Sequence, residues 1–184
     1  MHLAFIVYQD LTLLDLVGFY DPITRLRSMK YLPDLTWDFC TYYDYPTDNN
    51  GFPVKVDQRK PDLSGYDLIF VPGGFGSRSL SNDAAFVSWL KTAAPVPTKV
   101  SVCTGALLLG SAGFLQSKKA TTHFDEYETL AAYGAKVIKT EVVVEDQGCI
   151  TGGAVASSIE LGLYLCAKLA GAEARSAIRQ RMGL

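Results

Sequence analysis

Apolar residues fall along this chain in two kinds of run, short β-branched blocks and longer stretches at helical spacing, and their alternation predicts a layered α/β structure. Leu3 to Tyr8 is continuously apolar, as a central strand buried on both faces would be. Leu14, Leu16, Val17, Phe19, Tyr20, Ile23 and Leu26 then recur at near-helical spacing, with Asp15 at the helix start as the expected N-cap. Pro22 fits such a helix only early or at a break. Trp37, Phe39 and Thr41 alternate against Asp38, Cys40 and Tyr42, which predicts a second strand over Thr36 to Tyr43. After the turn-rich loop Asp44 to Gly51, Phe52 to Val56 reads as a short edge hairpin arm. Asp67 to Val71 is the clearest buried strand and runs straight into Pro72-Gly73-Gly74-Phe75-Gly76.

In the second half, Asn82 or Asp83 caps a helix carrying Ala84, Phe86, Val87, Leu90 and Ala94, and Pro95 with Pro97 ends it. Lys99 to Val102 is the next strand, followed by a leucine-rich helix to about Leu115. Ala120 to His123 predicts a short strand, and a helix near Phe124 to Tyr133 closes at Gly134. Lys136 to Ile138, Glu141 to Val144 and Cys149 to Thr151 supply further strands. Gly152-Gly153 opens a long apolar helix, Ala154 to Ala170, and a basic helix, Glu173 to Met182, follows. This order predicts a single α/β domain over residues 1–184, a three-layer sandwich with a mostly parallel central sheet and helices on both faces.

Composition narrows the function. A formal net charge of -2, from 17 basic and 19 acidic residues, gives no electrostatic footprint for nucleic acid or anionic lipid. A small uncharged substrate fits better. The N-terminus has neither the basic leader of a signal peptide nor a membrane span, so the expected compartment is the cytoplasm, where four cysteines stay reduced. There is no C-x-x-C, and two histidines make a zinc site unpromising. The Gly-rich turn lacks the Gly-x-Gly-x-x-Gly spacing of a dinucleotide site. No metal or organic cofactor is therefore expected.

Cys103 sits between the strand Lys99 to Val102 and the first turn of the helix that follows. That joint aims its side chain out of the sheet's carboxyl edge, as in a nucleophile elbow with sulfur replacing the serine hydroxyl. Free amides and the helix dipole there should lower the thiol pKa. The plainer reading is a buried cysteine acting as a small hydrophobe. Cys40, Cys149 and Cys166 each have such a packing explanation; Cys103 does not. In a parallel sheet the ends of Leu3 to Tyr8, Asp67 to Val71 and Lys99 to Val102 share one edge, so Asp15 can face the thiol, Gly73 and Gly74 can offer amides, and Thr104 joins Cys103 in the elbow.

Leu14-Asp15-Leu16-Val17-Gly18, Val71-Pro72-Gly73-Gly74-Phe75-Gly76, Ser101-Val102-Cys103-Thr104-Gly105-Ala106, Ala120-Thr121-Thr122-His123 and Thr151-Gly152-Gly153-Ala154 together make the chain resemble the ThiJ/PfpI superfamily, single-domain relatives of class I glutamine amidotransferases. Ser-Val-Cys-Thr-Gly and an aspartate at the two diagnostic places resemble its isocyanide hydratase branch. The resemblance implies a flavodoxin-like fold, a homodimer, Cys103 as nucleophile, Asp15 hydrogen-bonded to its sulfur, and Thr104 with the Gly73 and Gly74 amides shaping a substrate pocket. It implies addition of an isocyanide to Cys103 and release of an N-substituted formamide by water. His123 is then pocket wall rather than general base. Hydratase relatives continue into a proline-rich tail, whereas this chain stops at Leu184. Two other readings stand beside this one: a redox or ligand sensor built on an acidified Cys103, and a glyoxalase-like or amidase-like enzyme. AraC-type regulators carry a similar domain, but no helix-turn-helix follows Leu184.

Overall fold

In the computed structural model, which describes residues 1–184, the β-branched blocks line up as the strands of one twisted sheet. Strands β1 (His2–Ile6), β2 (Thr36–Thr41), β3 (Gln58–Arg59), β4 (Leu68–Val71) and β5 (Thr98–Val102) come from the first hundred or so residues. Further on, β6 (Lys119–Ala120) and β7 (Lys136–Val137) pair only with each other, while β8 (Val143–Asp146) and β9 (Cys149–Gly152) rejoin the main sheet. The seven strands run β3-β2-β1-β4-β5-β9-β8, parallel except for the antiparallel β8–β9 edge. Without the two-residue β3, the parallel order β2-β1-β4-β5-β9 is that of a flavodoxin-like doubly wound sheet.

Helices α1 (Leu13–Ser28), α2 (Gly76–Leu80), α3 (Ala84–Leu90), α4 (Gly105–Ser111), α5 (Tyr127–Ala132) and α6 (Ser157–Arg181) surround this sheet. β1 and β4 are buried on both faces because helices cover both, which is why their sequences show no alternation. Phe19 of α1 stacks on Phe70 of β4 at 3.9 Å between ring centroids, and Phe5 of β1 meets both rings edge-on. Each fully buried phenylalanine contributes roughly 1.5–3 kcal/mol of hydrophobic stabilisation. Because the sheet holds α1 through this aromatic contact, the first turn of α1 is fixed above the carboxyl ends of β1 and β4.

Several expectations need correction. Phe52 to Val56 forms no hairpin arm; a lone bridge joins Thr47 to Pro53, and the edge strand is Gln58–Arg59 instead. The helix after Cys103 ends at Ser111, not near Leu115, and Thr121 to His123 leave the strand to wrap the elbow. The short α2 follows the glycine turn, where no periodicity announced it. Pro22 lies in the third turn of α1 with no break in the helix, buried against α6, whose Gly162 leaves room for the proline ring. The predicted pair of C-terminal helices is present within α6, separated at Gly171, whose φ of 90° and ψ of 169° are not helical, although the first starts at Ser157 rather than Ala154. No helix is long and apolar enough to cross a membrane.

At the start of α4 a Cβ on Gly105 would run into the main-chain oxygens of Val71 and Pro72. Backbone cannot yield as a side chain can, so Gly105→Ala should lower unfolding free energy by about 3 kcal/mol, the upper end for overpacking. Gly65→Ala, with nothing within 4 Å of the added carbon, should stay within about 0.5 kcal/mol of the parent. Denaturant midpoints of the two variants check both values.

Candidate active site

The site begins with backbone. Cys103 has φ 54°, a left-handed conformation that a side chain with a Cβ adopts at a cost of about 1–3 kcal/mol. Three contacts hold it there. Its N–H is shared between the carbonyls of Gly152 (3.2 Å), the last residue of the neighbouring β9, and Gly153 (2.8 Å), just past it. Its carbonyl accepts the Thr122 hydroxyl at 2.8 Å. The elbow expected from the sequence is thus present, with its strain supported from two sides.

Asp15 is completely buried in the first turn of α1. It is not the N-cap; Thr12 occupies that position, and the carboxylate reaches outward across the sheet edge instead. Its Oδ2 accepts the Gly73 N–H at 2.9 Å, while Oδ1 has no fixed partner. A buried carboxylate oxygen without a hydrogen bond is costly, and Asp15 Oδ1 shares that condition with Ser101 Oγ. Burial pushes the Asp15 pKa up to about 7, against the pull of the Gly73 N–H and the Cys103 thiol.

The thiol itself departs from expectation. Rather than being acidified, Cys103 is pushed up to about 12, first by burial and then by the neighbouring Asp15 charge. The Thr104 N–H and hydroxyl pull it down, but not enough. A seven-residue helix offers only a weak dipole, and only 4% of Cys103 is exposed. Near neutral pH the resting pair is therefore a thiol beside a carboxyl whose hold on its proton burial has strengthened.

The glycine amides are likewise already engaged. Gly73 N–H holds Asp15, and Gly74 N–H donates to Thr104 Oγ1 at 2.9 Å. Thr104 Oγ1 also accepts the Ser77 hydroxyl at 2.8 Å and lies 3.1 Å from the Gly74 carbonyl. Thr104 is a brace between α4 and the glycine turn, and neither amide stands free for a ligand.

Cys103, Thr104, Gly74 and His123 line one cavity of about 280 Å³; Asp15 and Gly73 lie beneath it rather than on its wall. His123 Nδ1 accepts the Asp125 N–H at 3.3 Å, capping the short 3-10 turn Phe124–Glu126, and its ring packs on Phe124. His123 thus borders the cavity with its Nδ1 already engaged as an acceptor. The rest of the wall is Thr12, Asn49, Phe75, Arg78, Asp125 and Val155, none of which the sequence reading singled out. Thr12 sits directly ahead of Leu13, and an unclaimed hydroxyl before a helix was the available signal for it; Asn49 and Arg78 arrive through a loop and a helix without periodicity.

Among curated proteins the chain is 31% identical over 183 residues to the isonitrile hydratase of Pseudomonas putida, covering 99% of this chain and 78% of that one. It is also 29% identical over 161 residues to the HTH-type transcriptional regulator CdhR of Pseudomonas aeruginosa, covering 84% of this chain and 47% of the regulator. Among solved structures, a THiJ/PfpI family protein from Pseudomonas syringae superposes with a TM-score of 0.88 at 26% identity, over 99% of this chain and 74% of that chain. DJ-1 of Schizosaccharomyces pombe, at 17% identity, shares the fold over the full length of both chains with a TM-score of 0.82. With the DJ-1/PfpI family model matching residues 13–168, the chain belongs to the DJ-1/PfpI family.

Proposed function

We propose that this protein hydrates an isocyanide to an N-substituted formamide through a covalent thioimidate on Cys103. The observation that carries the reading is the buried Asp15 with one oxygen unpartnered beside a thiol at a strained elbow. Similarity to an isonitrile hydratase, isonitrile being another word for isocyanide, supports the same chemistry. The committed glycine amides favour it over amide hydrolysis. A tetrahedral oxyanion needs donors waiting for it, and here the Gly73 and Gly74 N–H groups are both spent inside the protein. Attack on an isocyanide develops charge on carbon, which a proton quenches.

Asp15 carboxylate takes the thiol proton as sulfur bonds to the terminal carbon, and returns that proton to the same carbon, giving a thioimidate. Water then adds to this carbon; one of its protons goes to the substrate nitrogen, and the other passes through Asp15 to sulfur as the carbon–sulfur bond breaks. The products are the formamide and the original thiol. An acid with pKa about 7 can accept and give a proton at comparable cost near neutral pH. The reaction as written draws on no metal or organic cofactor. A sensor dependent on an acidified thiol loses support from the raised Cys103 pKa. A small-molecule substrate suits the 280 Å³ cavity, and the homodimer of the family reading would cover Leu14 and Val17, both exposed on α1.

Incubation with small alkyl and aryl isocyanides should yield the matching formamides by NMR, and Cys103→Ala should yield none. Turnover no greater than in that variant overturns the proposal. Because the ionised carboxyl accepts the thiol proton, kcat/KM should rise with pH through about 7 and then level. Asp15→Asn should flatten that limb and lower kcat by roughly 10²–10⁴.

Stability should carry the opposite sign. The Asp15 pKa moves from 3.8 to about 7 on folding, so between these values the folded state binds more protons and stability falls as pH rises. The three-unit shift corresponds to on the order of 4 kcal/mol. Denaturation of the parent and Asp15→Asn should show the variant gaining on the parent by that order between pH 4 and pH 8. A difference independent of pH would mean that the carboxyl titrates normally.

A further inference from the structure

Arg78 is the only lysine or arginine that borders the cavity over Cys103. Its guanidinium is held along one edge alone: Nε donates to Glu126 Oε1 at 2.7 Å, and the group rests against the Phe75 ring at 5.7 Å. Glu126 is the better buried partner, its side chain 13% exposed. A guanidinium presents five N–H donors in a planar fork, and Arg–carboxylate pairs commonly use two of them together. Here Nη1 and Nη2 have no partner in the protein. The ion pair fixes the side chain without consuming its outer edge.

We propose that this open edge is a carboxylate subsite, so that the cavity takes small substrates with the reacting carbon at one end and a carboxylate at the other. The inference rests on the reading of Cys103 as the reacting group in this cavity. Three negative groups oppose it: Glu126, already paired with the guanidinium, and Asp125 and Asp15, both of which are weakened. Asp125 borders the cavity, but its side chain is 65% exposed and beside His123, where solvent and salt screen it. Asp15 lies below the floor, off the cavity wall, and its burial favours the neutral form. Thr12 and Asn49, the other polar wall residues on the near side, are uncharged.

Alkylation of Cys103 tests the subsite without using the hydration reaction. Iodoacetate and iodoacetamide are nearly isosteric; with either, a sulfur–carbon bond forms, the carbon–iodine bond breaks, iodide leaves, and the thiol proton passes through Asp15 to water. Rates at Cys103 are read by peptide mass spectrometry, and the iodoacetate-to-iodoacetamide ratio is compared with that of N-acetylcysteine. The ratio should be about tenfold higher at Cys103, as expected for one charged hydrogen bond. Arg78→Gln should return it to the reference value, and Glu126→Gln, which keeps the arginine but removes its countercharge, should raise it. Because a loosened wall changes both reagents alike, the ratio isolates charge. A parent ratio at or below the reference, or one unmoved by Arg78→Gln, overturns the subsite and leaves hydration standing. Failure of both reagents to reach Cys103 overturns the subsite and the nucleophile together.

Discussion

The left-handed backbone at Cys103 is the constraint on which the rest of the site depends. It turns the chain from β5 into α4 within two residues, and that abruptness lifts the sulfur clear of the sheet. Such a turn would relax if left to itself. It persists because the end of β9 receives the Cys103 N–H, the Thr122 hydroxyl holds the carbonyl, and Gly105 lets α4 lie directly on the main chain of Val71 and Pro72. Strand order puts all of these groups within reach of one another. The sheet edge is therefore a device for storing a strained residue as well as a place for a ligand.

Around that residue the polar groups are matched to one another before any substrate arrives. Asp15 is held by Gly73, Gly74 by Thr104, and Thr104 by Ser77. The lone carboxyl oxygen without a partner lies in the group whose proton affinity burial has raised most usefully. Cys40 and Cys166 are also pushed up to about 12 by burial, so proton affinity does not set Cys103 apart from its fellows. Position and neighbour do. Cys103 stands apart by lining the cavity at a strained turn with the Asp15 carboxyl beside it.

Sequence patterning revealed the strands and long helices because each is governed by local periodicity and by burial on one or two faces. It also brought Asp15, Gly73, Gly74, Thr104 and Cys103 to one edge, since a parallel sheet leaves no other place for them. It failed where tertiary contacts decide. Whether Asp15 caps its own helix or reaches Gly73 depends on an element 58 residues away. The thiol pKa turns on burial, which outweighs a short helix dipole. Arg78 and Asn49 lie in segments with no apolar repeat, so nothing in their spacing announced a wall of the cavity.

The hydroxyl of Thr122 has a consequence through its sequence neighbour. It donates to the Cys103 carbonyl, while His123, one residue on, lines the cavity together with Cys103. The Cys103 carbonyl and the His123 side chain are thereby tied to consecutive residues of the same segment. One short stretch of chain therefore contributes both a brace to the strained turn and a side chain to the cavity lining.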